Sequence, residues 1–201
     1  MKAIIFGTTN PSKLIHARAT LEPLSIKVRG LGDFKNLPEI EEDGKTPQEN
    51  ARKKALFYHK RIDQPVLSMD NALYIDGLKK SEQPGIHTRR VPGIISKPSD
   101  EDLIKYYSLL FAKHGGEMTG HWEFAMCLVT PGGQLKEATA ISDTRKFTSK
   151  VCSKRLPGYP LESMQFDLKT NKYVVEMTKA EQDKFWQNSI GKELKKLFDN
   201  F

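Results

Sequence analysis

Cysteine is scarce in this 201-residue chain, which has two: Cys127 in an apolar run and Cys152 in a basic stretch. They form neither a CxxC metal pair nor a secreted disulfide framework, so a reducing compartment is expected. Long hydrophobic runs are missing too. No apolar stretch approaches the roughly 18 residues of a membrane span, and no signal-peptide pattern precedes the first apolar segment. A soluble, cytoplasmic protein with no membrane partner is expected. The five histidines, His16, His59, His87, His114 and His121, lack metal-ligand spacing and are expected to be scattered over the surface. Internal repeats and low-complexity tracts are also absent.

What is present suits a globular chain. Hydrophobic residues make up 38%, enough for a real core, and the expected organisation is one α/β domain over residues 1–201 with two lobes. Lysine and arginine outnumber aspartate and glutamate 32 to 25, a net charge of +7, which favours polyanionic partners such as nucleotides or nucleic acid. The basic run Arg145, Lys146, Lys150, Lys154 and Arg155 reads either as a solvated face or as a nucleic-acid contact, the former being favoured.

The chain opens on an apolar strand, Lys2 to Phe6, followed by Gly7-Thr8-Thr9-Asn10-Pro11-Ser12-Lys13. Asn10 is a natural N-cap and Pro11 suits the first helical position, so backbone N–H groups and the positive dipole end should face the strand edge, with Lys13 one turn in. Such a start can hold a phosphate, although many strand-turn-helix units bind nothing. A helix over Ser12–Leu21 and a strand over Ser25–Leu31 complete a β-α-β start. The acidic loop Glu39-Ile40-Glu41-Glu42-Asp43 follows. Thr46-Pro47-Gln48-Glu49 is then a capping box for a helix from Pro47 to about Lys60.

A short buried strand should run from Gln64 to Asp70 and another from Ala72 to Gly77, leaving Asp70 at a strand edge where sites usually lie. Two Pro-Gly pairs make Lys79–Lys97 a long irregular loop. Asp100–Lys113 is predicted helical, with Gly115-Gly116 as its stop. Pro131-Gly132-Gly133 predicts a hairpin between Trp122–Thr130 and Gln134–Ile141. Ser142–Asn171 has no firm assignment. A last helix follows the capping box Thr178-Lys179-Ala180-Glu181, with Phe185, Ile190, Leu194, Leu197 and Phe198 at helical spacing. Strands and helices that alternate early, followed by a hairpin, imply a mixed sheet flanked by helices.

Carboxylates at two element edges beside an anion-cradling turn suit metal-assisted phosphate chemistry, because Mg2+ takes carboxylate and phosphate oxygens together. The order of these pieces resembles the inosine triphosphate pyrophosphatase family over nearly the whole chain. The family's T-G-N-x-x-K is present as Thr8-Thr9-Asn10-Pro11-Ser12-Lys13. Its long E-x-x-G-x-T-x-x-E-N-A-x-x-K-A motif is present from Glu41 through Gly44, Thr46, Glu49, Asn50, Ala51 and Lys54 to Ala55. Its D-D-S-G-L stands as Met69-Asp70-Asn71-Ala72-Leu73, and its P-G-x-x-S-x-R as Pro84 to Arg90.

The resemblance implies a mixed twisted sheet in two lobes around a central cleft, a homodimer, and Mg2+-dependent hydrolysis of nucleoside triphosphates to monophosphate and pyrophosphate. Carried over by position, Asp70 is catalytic and metal-binding, and Glu41 is the metal-binding glutamate, with Glu39 as the fallback. Thr8, Thr9, Asn10, Lys13, Lys54, Asn71, Arg90, Tyr159 and Lys184 make up the substrate-binding set. His87 lies in the loop that should close over the cleft.

The chain departs from the family at the base. F-G-Y-D is replaced by Pro157-Gly158-Tyr159-Pro160, which keeps the tyrosine and loses the acid. S-H-R is replaced by Asn188-Ser189-Ile190. Both losses imply altered base recognition. Ile190 is either helix core or part of a changed pocket, and Met69 either weakens metal binding or fills core. A nucleotide-binding sensor of the same fold without catalysis is the alternative, and nucleic acid is the least favoured partner.

Overall fold

The structure is a computed structural model that describes residues 2–94 and 97–199. In chain order the elements are β1 (Lys2–Phe6), α1 (Pro11–Leu21), β2 (Ile26–Gly30), α2 (Pro47–Ile62), β3 (Val66–Ile75), α3 (Asp100–Lys113), β4 (Glu117–Val129), β5 (Leu135–Ile141), β6 (Arg145–Thr148), β7 (Gln165–Asp167), β8 (Lys172–Tyr173), α4 (Lys179–Trp186) and α5 (Lys192–Leu197). The chain divides into two compact units. The first comprises Met1–Asn71, Glu123–Ile141 and Asp183–Phe201, and the second Ala72–Trp122 and Ser142–Gln182.

In the first unit β2, β1 and β3 run parallel, with Phe6 opposite Gly30 on one side and Leu67 on the other. The end of β4 pairs antiparallel with β5 over Glu123–Val129 and Leu135–Ile141, the hairpin foreseen from Pro131-Gly132-Gly133. Strand alternation sorts the side chains onto two faces. Phe6, Leu67, Met69 and Met126 point to one side, where they line a small apolar void with Ala17 of α1 and with Ile190 and Leu194 of the terminal helical run. Ile5 and Val66 point to the other, against Tyr58 of α2. Ala125, Cys127 and Val129 pack there on Ala51 and Ala55 of the same helix. Cys127 is a core residue whose thiol burial pushes up to about 12, which makes it inert as a nucleophile.

In the second unit the start of β4 pairs antiparallel with β6, β6 with β7 and β7 with β8. Its core gathers Leu73 and Ile75 of β3, Leu103, Ile104, Tyr107 and Phe111 of α3, Phe147 of β6, and Leu161 and Met164. The mixed parallel and antiparallel pairing with flanking helices is the expected fold class.

Several local expectations are corrected. The two predicted short strands around Asp70 are one continuous β3, Val66–Ile75, so Asp70 lies inside the strand and not at its edge. Ser142–Asn171 contains β6, β7 and a 3-10 turn at Pro160–Ser163, each too short to show a period. The last helix is split: Gln187–Gly191 forms a π-helical segment between α4 and α5. The Lys79–Lys97 loop holds a 3-10 turn at Lys80–Glu82, and its Ile95 and Ser96 lie outside the described residues. His16 is not on the surface; it is 5% exposed and stacks on Trp186 at 4.3 Å.

Candidate active site

The turn after β1 and the middle of β3 lie together because the strands are neighbours. The Gly7 N–H donates to Leu67 O at 2.8 Å, and a Cβ at Gly7 would collide with Ser68 Oγ, so a larger residue here would have to displace that buried hydroxyl. Asn10 caps α1 as expected, its Oδ1 accepting the Ser12 N–H at 3.0 Å and the Lys13 N–H at 3.4 Å. The Asn10 N–H in turn donates to Thr8 Oγ1 at 3.1 Å. These contacts correct one expectation. The helix-start amides of Ser12 and Lys13 are engaged by the cap, so an anion here would rely on side chains and the dipole more than on open N–H groups. Thr8 and Asn10 are half-buried and Thr9 is exposed.

Asp70 is the centre of the unit. It is 6% exposed and points to the α2 face, where two residues one helical turn apart reach it. Asn50 Nδ2 donates to Oδ2 at 3.0 Å, and Lys54 Nζ donates to Oδ1 at 3.1 Å. Lys54 Nζ also reaches the Met69 carbonyl at 3.1 Å and Glu42 Oε2 at 3.2 Å. Burial of a carboxylate is costly unless it is paired and hydrogen-bonded, and Asp70 is both.

The acidic loop is thereby brought to Asp70, though through a residue the motif reading did not select. Glu42 makes the contact, whereas Glu41 and Glu39 are exposed beside it. Asn50 is a second contact outside the expected set, although its i, i+4 spacing from Lys54 within the long motif signals a shared face. Asn71 follows Asp70 but, by alternation, lies on the opposite face with Met69. Its Oδ1 is buried with no hydrogen-bond partner among the described residues. Met69 is core, at 5% exposure, and Ile190 is likewise core. Lys184 is exposed on α4 in this same unit.

Arg90, His87 and Tyr159 belong to the second unit. There the Pro-Gly loop is pinned to β3 by reciprocal Leu73 and Gly85 hydrogen bonds of 3.0 and 2.9 Å, and the Arg90 N–H donates to His87 O at 2.8 Å. Burial, with a smaller contribution from Arg90, lowers the pKa of His87. The Tyr159 turn is tied to that loop through Asp100 at the start of α3. Asp100 accepts from Arg89 Nη2 at 2.8 Å and from the Gly158 N–H at 2.7 Å.

On the same turn Glu162 is 5% exposed, and neither of its carboxyl oxygens has a hydrogen-bond partner among the described residues. Burial pushes its pKa up to about 8. Tyr159 has its hydroxyl pKa raised by burial first and by Glu162 second. Neither Glu162 nor Asp100 carries a motif signal.

The donor set around Asp70 is one of hard oxygens, from Asp70 itself and the exposed acids of the loop, which fits a small divalent cation that keeps several waters. Among the described residues no group of three or more histidine, cysteine or acidic side chains is placed to enclose a metal on its own. No described helix is long and apolar enough to cross a membrane.

Comparison with known proteins identifies the family and the fold. The model of the Ham1 family matches residues 4–186. A dITP/XTP pyrophosphatase of Geobacter sulfurreducens is 35% identical over 135 residues, 67% of this chain and 66% of that protein. One of Lactiplantibacillus plantarum is 26% identical over 204 residues, covering 100% and 95%. The chain thus spans just under two thirds of the length of the first relative and nearly all of the second. Among solved structures, the Staphylococcus aureus Ham1 protein superposes with a TM-score of 0.73 at 19% identity over all of both chains. A HAM1 protein from Coxiella burnetii gives 0.71 at 22%, covering 98% and 96%. At those identities the likeness is one of fold, and it bears out the mixed α/β architecture. The family match covers most of the chain, so the resemblance read from the motifs holds: the chain belongs to the Ham1 family.

Proposed function

We propose that this protein is a nucleoside triphosphate pyrophosphatase that releases pyrophosphate and a nucleoside monophosphate, with Mg2+ as its metal and with altered recognition of the base. The observation that carries the reading is the buried Asp70 carboxyl held between Asn50 and Lys54, next to an acidic loop and on the strand adjoining the Thr8–Lys13 turn. The curated relatives bear the names of dITP/XTP pyrophosphatases, which supports the triphosphate as substrate class.

In this reading Thr8, Thr9, Asn10 and Lys13 grip phosphate oxygens, and Lys54, Lys184 and Arg90 add positive charge. Asn71 and Tyr159 complete the substrate-binding set, Tyr159 as a stacking surface. Asp70, with Glu41 or its neighbour Glu42, would hold Mg2+, which supplies Lewis-acid polarisation of the phosphate and an acidified water when bound. Asp70 orients a water toward the α-phosphorus. The new bond is water oxygen to α-phosphorus, the broken bond is α-phosphorus to the bridging oxygen, the water's proton is released to solvent, and the charge left on pyrophosphate is met by preplaced lysines. Ile190 and Pro160 stand where the family has base-reading groups, which supports relaxed discrimination among bases.

Hydrolysis in 18O-labelled water tests the reading. The expected products are pyrophosphate and a monophosphate carrying the label. Nucleoside diphosphate plus orthophosphate, or label in the pyrophosphate, would contradict it.

A further inference from the structure

The Asn50 amide joins two parts of the Asp70 cluster that are distant along the chain. Its Nδ2 donates to Asp70 Oδ2 at 3.0 Å, its Oδ1 accepts the Gly44 N–H at 2.8 Å, and the residue is 3% exposed. Lys54 makes a parallel link, 3.1 Å from Asp70 Oδ1 and 3.2 Å from Glu42 Oε2. The acidic loop is therefore tied to Asp70 twice, through a neutral amide at Gly44 and through an ammonium at Glu42.

An incoming polyphosphate treats the two ties differently. Phosphate oxygens compete directly with carboxylates for an ammonium. An amide carries no charge for them to draw. We propose that Asn50 is a positioning residue for the pyrophosphatase site: it keeps the Glu39–Gly44 loop in register with Asp70 while Lys54 turns its charge to the substrate. The inference rests on the function proposed above. The fit at Gly44 supports it, because a Cβ there would lie 2.6 Å from Asn50 Oδ1 and 2.9 Å from Glu49 Cβ. The loop backbone thus approaches the amide more closely than a larger residue permits.

The test uses the full chain and the variants Asn50→Ala, Asn50→Asp and Gly44→Ala, together with the double variant Asn50→Ala/Gly44→Ala. Pyrophosphate release is measured against nucleotide and against Mg2+, alongside thermal melts and amide exchange at Gly44. Supporting residues of this kind typically set 10–100-fold in activity or metal affinity. Asn50→Ala should lower kcat by about that factor, raise the Mg2+ needed for half-maximal rate, and leave the nucleotide KM within about threefold.

Gly44 exchange should quicken in Asn50→Ala. Asn50→Asp keeps the acceptor for Gly44 but loses the donor and faces Asp70 with a like charge, so its kcat should fall at least as far while Gly44 stays protected. The double variant should be no worse than the poorer single variant, since both lesions act on one contact. A folded Asn50→Ala with wild-type kcat and Mg2+ dependence overturns the proposal, as does a fall that appears wholly in KM. If Asn50→Ala does not fold, the same split measured on Gly44→Ala and Asn50→Asp decides. If the wild type releases no pyrophosphate, the functional reading falls, and an unchanged Gly44 exchange rate in Asn50→Ala overturns the positioning role independently.

Discussion

Asp70 in the first unit and Glu162 in the second are both buried carboxyl groups, and they are treated in opposite ways. Asp70 is 6% exposed and has a lysine and an asparagine on its oxygens. Glu162 is 5% exposed, has no partner on either oxygen among the described residues, and has its pKa pushed up to about 8 by burial alone. The difference shows what each environment is built for. A carboxyl that is compensated on both oxygens in a rigid strand-helix frame is preorganised for charged chemistry. An uncompensated one in a 3-10 turn takes up a proton to lower its burial cost.

The largest expected effect strikes at the first carboxyl. Asp70→Asn removes the oriented carboxylate and should lower kcat by roughly 10²–10⁴-fold, with KM far less affected, as steady-state pyrophosphate release would show. Lys54→Met should unsettle the fold as well as the chemistry. Removing one partner of a buried ion pair costs roughly 3–5 kcal/mol, and both side chains here are under 10% exposed. Denaturant melts read that loss, and Asp70→Asn/Lys54→Met should recover part of it.

Glu162 supplies the contrasting pH signature. Its carboxyl binds a proton more tightly folded than unfolded, so folding stability falls as pH climbs from the ordinary glutamate value of 4.5 toward about 8. Glu162→Gln should flatten that fall, gaining on the wild type at pH 8 by on the order of a few kcal/mol and little at pH 5. Equal pH dependence of the two melting curves would break the contrast between the carboxyls. The smallest effect belongs to the Asp100 tie. Asp100→Ala frees the Arg89 and Gly158 contacts, and should change relative kcat/KM among bases by about tenfold or less, with kcat on the best substrate nearly kept.

The first unit was the more legible in the sequence, for physical reasons. Short apolar strands, of which β2 alternates buried and solvent-facing residues, a proline-started helix and a capping box all leave local marks, and they fix β1, α1, β2 and α2 near their observed ends. Asp70 was legible as an acid on a buried strand, but its expected place at the strand's edge was wrong, because β3 runs on from Val66 to Ile75. The neighbours of Asp70 were less legible: Glu42 rather than Glu41 meets Lys54, because the register of an exposed acidic loop is set by tertiary contacts that no local pattern encodes.

The second unit was harder to read, since β6, β7 and β8 are only a few residues long and the Tyr159 turn is held by Asp100 from far along the chain. The π segment at Gln187–Gly191 was hidden for another reason. One helical period fits Phe185, Ile190, Leu194 and Leu197 almost as well as two half-helices do. The burial of His16 depends on Trp186, whose nearness only the fold supplies.

In the function proposed here the Asp70 cluster works on the phosphates while base reading has loosened. That function is tested most directly by following Mg2+-dependent pyrophosphate release from a panel of ordinary and deaminated triphosphates, with wild type and Asp70→Asn side by side. The expected result is release from deaminated nucleotides and from several ordinary ones with modest discrimination, all of it lost together in Asp70→Asn. Nucleotide binding without release, or activity that survives Asp70→Asn, would contradict it.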